Sequence, residues 1–274
     1  MTPSDKMPSS VEKVPSPDKI TVRSVERALD ILSAFIGSEK NLSLTEIANK
    51  VDLHKSTVHR LLNSLEARGY VEKLAESERY RLGNKIIELS SHAARSSDLI
   101  QTAVPEMTRL RDELGETVSL YILDRHDRIR LHAIEGTQTV RRIAIIGQRL
   151  PLYAGASSKI LLAFLPEQEQ DKIFKTPYWS PAIDIRKFRQ TFEGIRKNQY
   201  ATSFGEREPG VASIAAPVFF ENGTIAAALS ISGPIDRFTE KQIHYMADIV
   251  IASANRITTM LAHNHIVSHN TYSH

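Results

Sequence analysis

Between Ser43 and Leu82 the chain carries the pattern that most restricts its fold. Ser43 followed three residues later by Glu46 is a capping box, a helix start that satisfies the first free amides. Leu44, Ile47, Ala48 and Val51 give that helix an apolar side. The short turn Asp52-Leu53-His54 leads into a second helix that runs to Arg68 and stops at Gly69. Tyr70 to Leu74 and Arg79 to Leu82 then read as two short strands joined by the polar segment Ala75 to Glu78. Helix, tight turn, helix and hairpin is the order of a winged helix-turn-helix, whose second helix enters the DNA major groove.

The second helix supports that reading. On a helical wheel of residues 54 to 68, Val58, Leu61, Leu62 and Leu65 gather on the side that must face a core. Ser56, Arg60, Asn63 and Ala67 lie opposite, with His59 and Ser64 flanking. Arg matches guanine and Asn matches adenine in the major groove. Lys55 and Thr57, at the helix start, are placed for phosphates, which a helix N-terminus attracts. Arg79 and Arg81 on the hairpin are placed for neighbouring phosphate or the minor groove. Alone, such a helix would be read as an amphipathic helix with a solvated polar face. The capped helix, the turn and the hairpin together decide for double-stranded DNA. Residues 19 to 83 hold 11 Lys and Arg against 9 Asp and Glu, so charge supports the reading only weakly. One copy would bind modestly, because each neutralised phosphate adds to affinity. A dimer presenting two copies is the natural remedy.

Composition narrows the rest. A length of 274 residues suffices for two domains. With 41% hydrophobic and 24% charged residues, a globular chain is expected. The net charge of +3 permits nucleic-acid binding without demonstrating it. The absence of cysteine excludes disulfides, thiolate zinc sites and cysteine nucleophiles, and fits a reducing, cytoplasmic setting. No apolar run approaches the roughly 18 residues of a membrane span, so no membrane partner is expected. Residues 1–19 are rich in Pro and Ser, lack the apolar core of a signal peptide, and read as a disordered lead-in.

The winged domain is expected over residues 20–83. Within it, Val22, Val25, Leu29, Leu32, Phe35 and Ile36 share one helical face, which ends at Gly37. Ile86, Ile87, Leu89 and Ala93 suggest a polar linker helix over 84–98. A long helix from Leu99 to Leu114 contains Pro105, expected as a kink or break. Beyond Gly115, strands at 118–123 and 129–134 flank a turn, and helices follow at 157–165, 167–174 and 188–197. Strands at 211–219 and 224–232 meet at Asn222-Gly223, a strong hairpin signal. A last helix from Thr239 to Leu261 would leave residues 263–274 as a flexible tail. The fold class is therefore α+β.

The runs VRSVERALDILSAF and LSLTEIANKVDLHKSTVHRLLNSLEARGYVEK, then RLPLYAGASSKILLAF, GVASIAAPVF and ALSISGP, resemble in order the isocitrate-lyase-regulator (IclR) family of bacterial transcription factors. The resemblance covers residues 21 to 262. It implies an N-terminal winged helix-turn-helix joined by a linker helix to a GAF-like α/β effector-binding domain over 99–262. It further implies a ligand-responsive repressor, rather than an activator, that binds a palindromic operator as a homodimer or homotetramer. Its effector would be a small organic acid or aromatic compound, with no cofactor or metal.

Carried over residue by residue, the resemblance places Ala156 and Ser157 where backbone amides meet a ligand carboxylate, at the start of the helix after Tyr153-Ala154-Gly155. Tyr153 would close one wall. Ser213 stands where some relatives have a pocket cysteine. Ser230 and Ser232 alternate on one strand, point the same way and offer hydroxyls. Ser203 stands where an aspartate often contacts ligand, and Glu206 is shifted by three from the usual acidic position. A glyoxylate-like or pyruvate-like effector therefore does not transfer, and an aromatic or bulkier acid is equally open. Arg141 and Arg142 lie upstream and could balance an acid, with surface exposure expected for at least one.

The main alternative is a small-molecule-converting enzyme with an accessory winged domain. Gly155-Ala156-Ser157-Ser158-Lys159 does not complete a nucleophile elbow, because Lys159 stands where the second Gly belongs. The S-x-x-K pattern fails at Ala156, and neither a P-loop nor a dinucleotide fingerprint is present. His263 and His265 read as incidental to the tail rather than as metal ligands. A third reading, a winged domain that docks protein, is disfavoured by the Arg60 and Asn63 face.

Overall fold

The computed structural model describes residues 21–38, 41–95 and 98–270. The lead-in expected over 1–19 and the last four residues of the tail lie outside them. The chain divides into two compact units, Met1–Ser96 and Ser97–His274.

The first unit contains α1 (Arg23–Ser33), α2 (Leu44–Val51), α3 (Lys55–Ala67), a hairpin of β1 (Val71–Lys73) and β2 (Tyr80–Leu82), and α4 (Asn84–Arg95). The capping box forms at α2: the Ser43 and Glu46 side chains each bond the other's backbone amide. Asp52 turns the chain with φ +52°, in the left-handed region, and three residues later α3 begins. Ile31, Ile47, Val58, Leu62, Val71 and Tyr80 form the centre of the core. The apolar stripe expected on the first helix packs only in part. Phe35 is buried and Leu32 packs beside it, together with Ile31 and Ala34, whereas Val22, Val25, Leu29 and Ile36 are 55% exposed or more. Helical periodicity finds a face but cannot say which of two apolar stripes meets the neighbouring helices. On α4, Ile87 and Leu89 are also exposed.

The second unit opens with α5 (Asp98–Leu114), which runs unbroken through Pro105. Then come β3 (Thr117–Asp124), β4 (Asp127–Ile134), β5 (Arg149–Pro151), α6 (Ala156–Ala163), α7 (Glu167–Phe174), α8 (Ile185–Asn198), β6 (Ala201–Phe204), β7 (Val211–Phe219), β8 (Ile225–Pro234) and α9 (Glu240–Asn270). The six strands form one sheet in the order β5-β4-β3-β8-β7-β6, antiparallel throughout. The β7–β8 hairpin turns where Asn-Gly marked it, with Gly223 at φ +77°. Helix α9 extends past Leu261, the expected end, because no Gly or Pro follows Pro234 to stop it.

Side chains alternate across the sheet, so each face has its own core. Val118, Leu120, Ile214, Leu229 and Ile231 meet Met107 and Leu110 of α5 and Val250 and Ile257 of α9. Tyr121, Ala215 and Ala228 meet Ile160 of α6, Phe174 of α7 and Phe188 and Phe192 of α8. The second face is built from small residues, which lets α6 lie close against β7 and β8.

One ion cluster ties α5 to α9. Glu106 is buried and accepts from Arg109 at 2.8 Å and Arg256 at 2.6 Å. Burial opposes its ionisation, but the bonds from Arg256, Arg109 and Ser253 outweigh that effect and lower the carboxyl pKa to about 2. Glu106→Gln should cost about 1–3 kcal/mol at pH 7, read by urea unfolding. A carboxyl with a lowered folded pKa stabilises above its unfolded value and ceases to do so as pH falls through the folded one. The gap between wild type and variant should therefore be full above pH 4.5 and close toward pH 2.

Candidate functional site

Helix α3 buries Val58 and Leu62 and half-buries Leu61 and Leu65. That leaves Lys55, Ser56, His59, Arg60 and Asn63 exposed on the other side, with Thr57 half-buried. Among the described residues, Lys55 and Arg60 have no ion-pair partner, so the outward face carries uncompensated positive charge. The hairpin arginines differ. Arg79 donates to Glu46 and to the Asn41 carbonyl, both at 2.6 Å. Arg81 is paired with Glu72 at 2.8 Å. Glu46 thus holds the capping box and the hairpin together. The backbone and hydroxyl of Ser43, then Arg79, lower its carboxyl pKa to about 2.

In the second unit the expected effector residues converge on one end of the sheet. Strand register sets Ser203 opposite Ser213, Ser213 opposite Ser232, and Ser232 opposite Thr117, a row of hydroxyl residues across four strands. Ser230 lies one pleat further, opposite Ser119. Ser203, Ser213, Ser230 and Ser232 line a cavity of about 40 Å³ together with Gly155, Ala156 and Ser157 at the start of α6. By that measure it has room for about three waters. The first amides of a helix lack intrahelical partners. Those of Ala156 and Ser157 therefore supply donors at the cavity. Tyr153 does not line it; its ring packs edge-on against Trp179 with centroids 6.4 Å apart. Glu206 does not line it either, but its carboxylate accepts from the Gly155 amide at 3.0 Å and from Lys159.

The cavity also has walls that the sequence reading missed: Tyr121, Arg128, Arg207 and Glu208. Arg128 is 3% exposed and Arg130, its neighbour on the same face of β4, is 1% exposed. Neither forms an ion pair among the described residues. Arg128 donates to the carbonyls of Pro151 and Ala154 and to Ser158 Oγ, and its Nε has no partner. Burial lowers its pKa to about 10. Arg130 donates to Tyr121 Oη at 2.8 and 3.0 Å, to the Ile145 carbonyl and to Gln148. The sequence did hold a signal: Arg128 and Arg130 are two apart on a strand whose intervening residues are apolar. Arg142 also lines the cavity and pairs with Glu208 at 2.5 Å, while Arg141 is on the surface, paired with Glu135. A wider cleft of about 490 Å³ shares Arg142, Arg207, Glu208 and Val211 with the cavity and is flanked by the exposed side chains of Val140, Ile143 and Ile145.

The arrangement can hold an anion: the unpaired Arg128 and a helix N-terminus supply positive potential, Arg142 and Arg207 share the single carboxylate of Glu208, and the serine row supplies hydroxyls. No group of three or more His, Cys, Asp or Glu residues among those described is placed to hold a metal. Of the C-terminal histidines, His263 bonds the Thr259 carbonyl within its own helix. No helix among the described residues is long and apolar enough to cross a membrane.

A family model described as bacterial transcriptional regulator IclR C-terminal matches residues 91–259, and one for the IclR helix-turn-helix domain matches residues 24–75. The chain belongs to the IclR family. It is 33% identical to the HTH-type transcriptional regulator KipR of Bacillus subtilis, over 88% of this chain and 98% of that protein. Identity to the transcriptional repressor IclR of Escherichia coli is 30%, over 86% of this chain and 89% of the relative. Among solved structures, an IclR homolog from Microbacterium hydrocarbonoxydans complexed with 4-hydroxybenzoate superposes with a TM-score of 0.76 at 25% identity, covering 87% of this chain and 98% of that one. The relatives are transcriptional regulators, and this IclR-family chain is a regulator rather than an enzyme.

Gly155 joins sequence and site most tightly. Its φ of +102° with ψ 151° is a conformation side chains rarely adopt, and a Cβ there would stand 2.9 Å from Arg128 Nη2. Gly155→Ala should cost about 1–3 kcal/mol in thermal unfolding, from backbone strain and displacement of Arg128.

Proposed function

We propose that this IclR-family regulator binds a roughly palindromic operator as a homodimer or homotetramer and releases or holds it according to a small anionic effector. The unpaired cationic face of α3, Lys55 to Asn63, carries the DNA half of the reading. Arg60 and Asn63 read base edges, Lys55, Ser56, Thr57 and His59 approach the backbone, and the paired arginines Arg79 and Arg81 orient the hairpin beside it. The exposed stripe of Val22, Val25 and Leu29 favours self-association, since one copy has too little charge for useful affinity.

The effector half rests on the cavity. Its ligand is an organic or aromatic acid whose carboxylate meets the amides of Ala156 and Ser157 and whose polar groups meet Ser203, Ser213, Ser230 and Ser232. The 4-hydroxybenzoate bound to the Microbacterium relative favours an aromatic acid. Effector can shift DNA occupancy only by its differential affinity for the two states of the protein. Repression is the favoured sign, after the repressor relative in Escherichia coli, and the site of action is cytoplasmic DNA.

A DNA fragment selected from a random pool by the full-length protein provides the probe. Arg60→Ala should weaken its binding by about 1–3 kcal/mol in fluorescence anisotropy. Affinity should also fall steeply with added salt. Unchanged affinity in the variant would remove α3 from the groove. The pair Ser230→Ala and Ser232→Ala together should weaken the response of that complex to carboxylates while leaving ligand-free DNA binding intact. An unaltered titration would take both serines out of the site.

A further inference from the structure

At the start of α6, one residue from the amides proposed for the effector carboxylate, the chain already places a carboxylate of its own. Glu206 lies in the segment between β6 and β7, and its two oxygens accept from the Gly155 amide, at the start of α6, and from Lys159 Nζ. Lys159 also donates to the Thr202 carbonyl at 3.0 Å, so the lysine is fixed rather than free to follow. Two glycines in left-handed conformation bracket this segment, Gly205 at φ +65° and Gly210 at φ +78°. Between them Glu208 is tied to Arg142 at 2.5 Å. Arg207 and Glu208 of this segment line the cavity, whose volume of about 40 Å³ is too small for an aromatic acid.

Buried next to this carboxylate is a cation without a counter-ion. Arg128 is held by neutral oxygens that orient the guanidinium without cancelling its charge, and its Nε finds no acceptor. A buried charge lacking an opposite charge is costly, and an anion entering the cavity would relieve that cost. Glu206 supplies such a charge from the edge, without reaching Arg128 in an ion pair.

We propose that Glu206 is a built-in competitor: it stands in for the effector's carboxylate in the ligand-free state and is displaced by it, with Arg128 as the charge that draws the ligand in. This rests on the reading of the cavity as the effector site. The displaced carboxylate swings out with the segment hinged at Gly205 and Gly210, which opens the cavity toward the wider cleft. Two consequences follow. Neutral molecules bind poorly, because they cannot replace the charge of Glu206 beside Lys159 and Arg128. Affinity for acids is held below what the same site would give without Glu206, since every acid must first expel it.

The test is a calorimetric titration of the full-length protein with sodium benzoate, 4-hydroxybenzoate and pyruvate, each against wild type, Glu206→Gln and Glu206→Asp. Glu206→Gln keeps the shape and one acceptor but removes the charge. It should bind at least one of the acids about tenfold or more tightly than wild type, equivalent to about 1.4 kcal/mol. Glu206→Asp, which keeps the charge, should stay near wild type. A purely propping role for Glu206 would leave affinity unchanged or reduced in the Gln variant. Wild-type binding with no gain in the Gln variant overturns the displacement and leaves the cavity standing as the effector site. Absence of binding by all three proteins overturns both.

Discussion

The cavity beside α6 is organised around a buried cation that no carboxylate among the described residues pairs. Arg128 projects from β4 into a region where water cannot screen it, and the surrounding chain is shaped to tolerate it. The carbonyls of Pro151 and Ala154 turn inward, Ser158 offers its hydroxyl, and Gly155 has no side chain to obstruct it. The pairing of β5 with β4 fixes Pro151 opposite Asp127, which holds one of those carbonyls in place. Neutral oxygens lower the cost of a buried charge but do not remove its field, which is strong at low effective dielectric. The start of α6 adds a dipole of the same sign. The serine row then decides orientation rather than charge. This electrostatic imbalance is what the proposal of an acidic ligand rests on.

The DNA end shows the complementary use of charge. Around Glu46, Ser43 and Arg79, ionised groups are satisfied by one another and serve only to fix α2 against the hairpin. On α3, Lys55 and Arg60 are left with no partner among the described residues. Internally paired charges build the frame, and the unpaired ones are those proposed to meet phosphates and bases. The same distinction separates Arg128 from Arg109 and Arg256, whose charges are met by Glu106 and Glu113.

What the sequence revealed tracks how local each signal was. The Ser43–Glu46 box, the Asp52 turn and the Asn222-Gly223 hairpin each depend on a few adjacent residues, and each forms as read. Ser230 and Ser232 were legible through strand alternation, Ser203 and Ser213 only through the family resemblance, and the register of β6, β7 and β8 brings them together. The face of α1 was read only in part: Leu32 and Phe35 pack as expected, but tertiary packing adds Ile31 and Ala34 and leaves Val22, Val25 and Leu29 outside. Strand β5 has three residues, too few for any periodicity to show. Arg128 escaped because an arginine on a strand is ordinarily read as solvent-facing, and only the sheet's position beneath α6 makes it interior. Tyr153 was drawn away by Trp179, a contact 26 positions distant in sequence.

The central claim is that the cavity is built for an acid because it holds an uncompensated buried cation. Matched pairs of ligands test it without altering the protein: benzoate against benzamide, and 4-hydroxybenzoate against 4-hydroxybenzamide, titrated by calorimetry into the full-length chain. Each pair has nearly the same size and shape, and the amide removes the charge and turns one acceptor into a donor. At least one acid should bind with one site per chain, and its amide should bind about a hundredfold more weakly, or about 2.7 kcal/mol. Equal affinity for an acid and its amide would contradict the account.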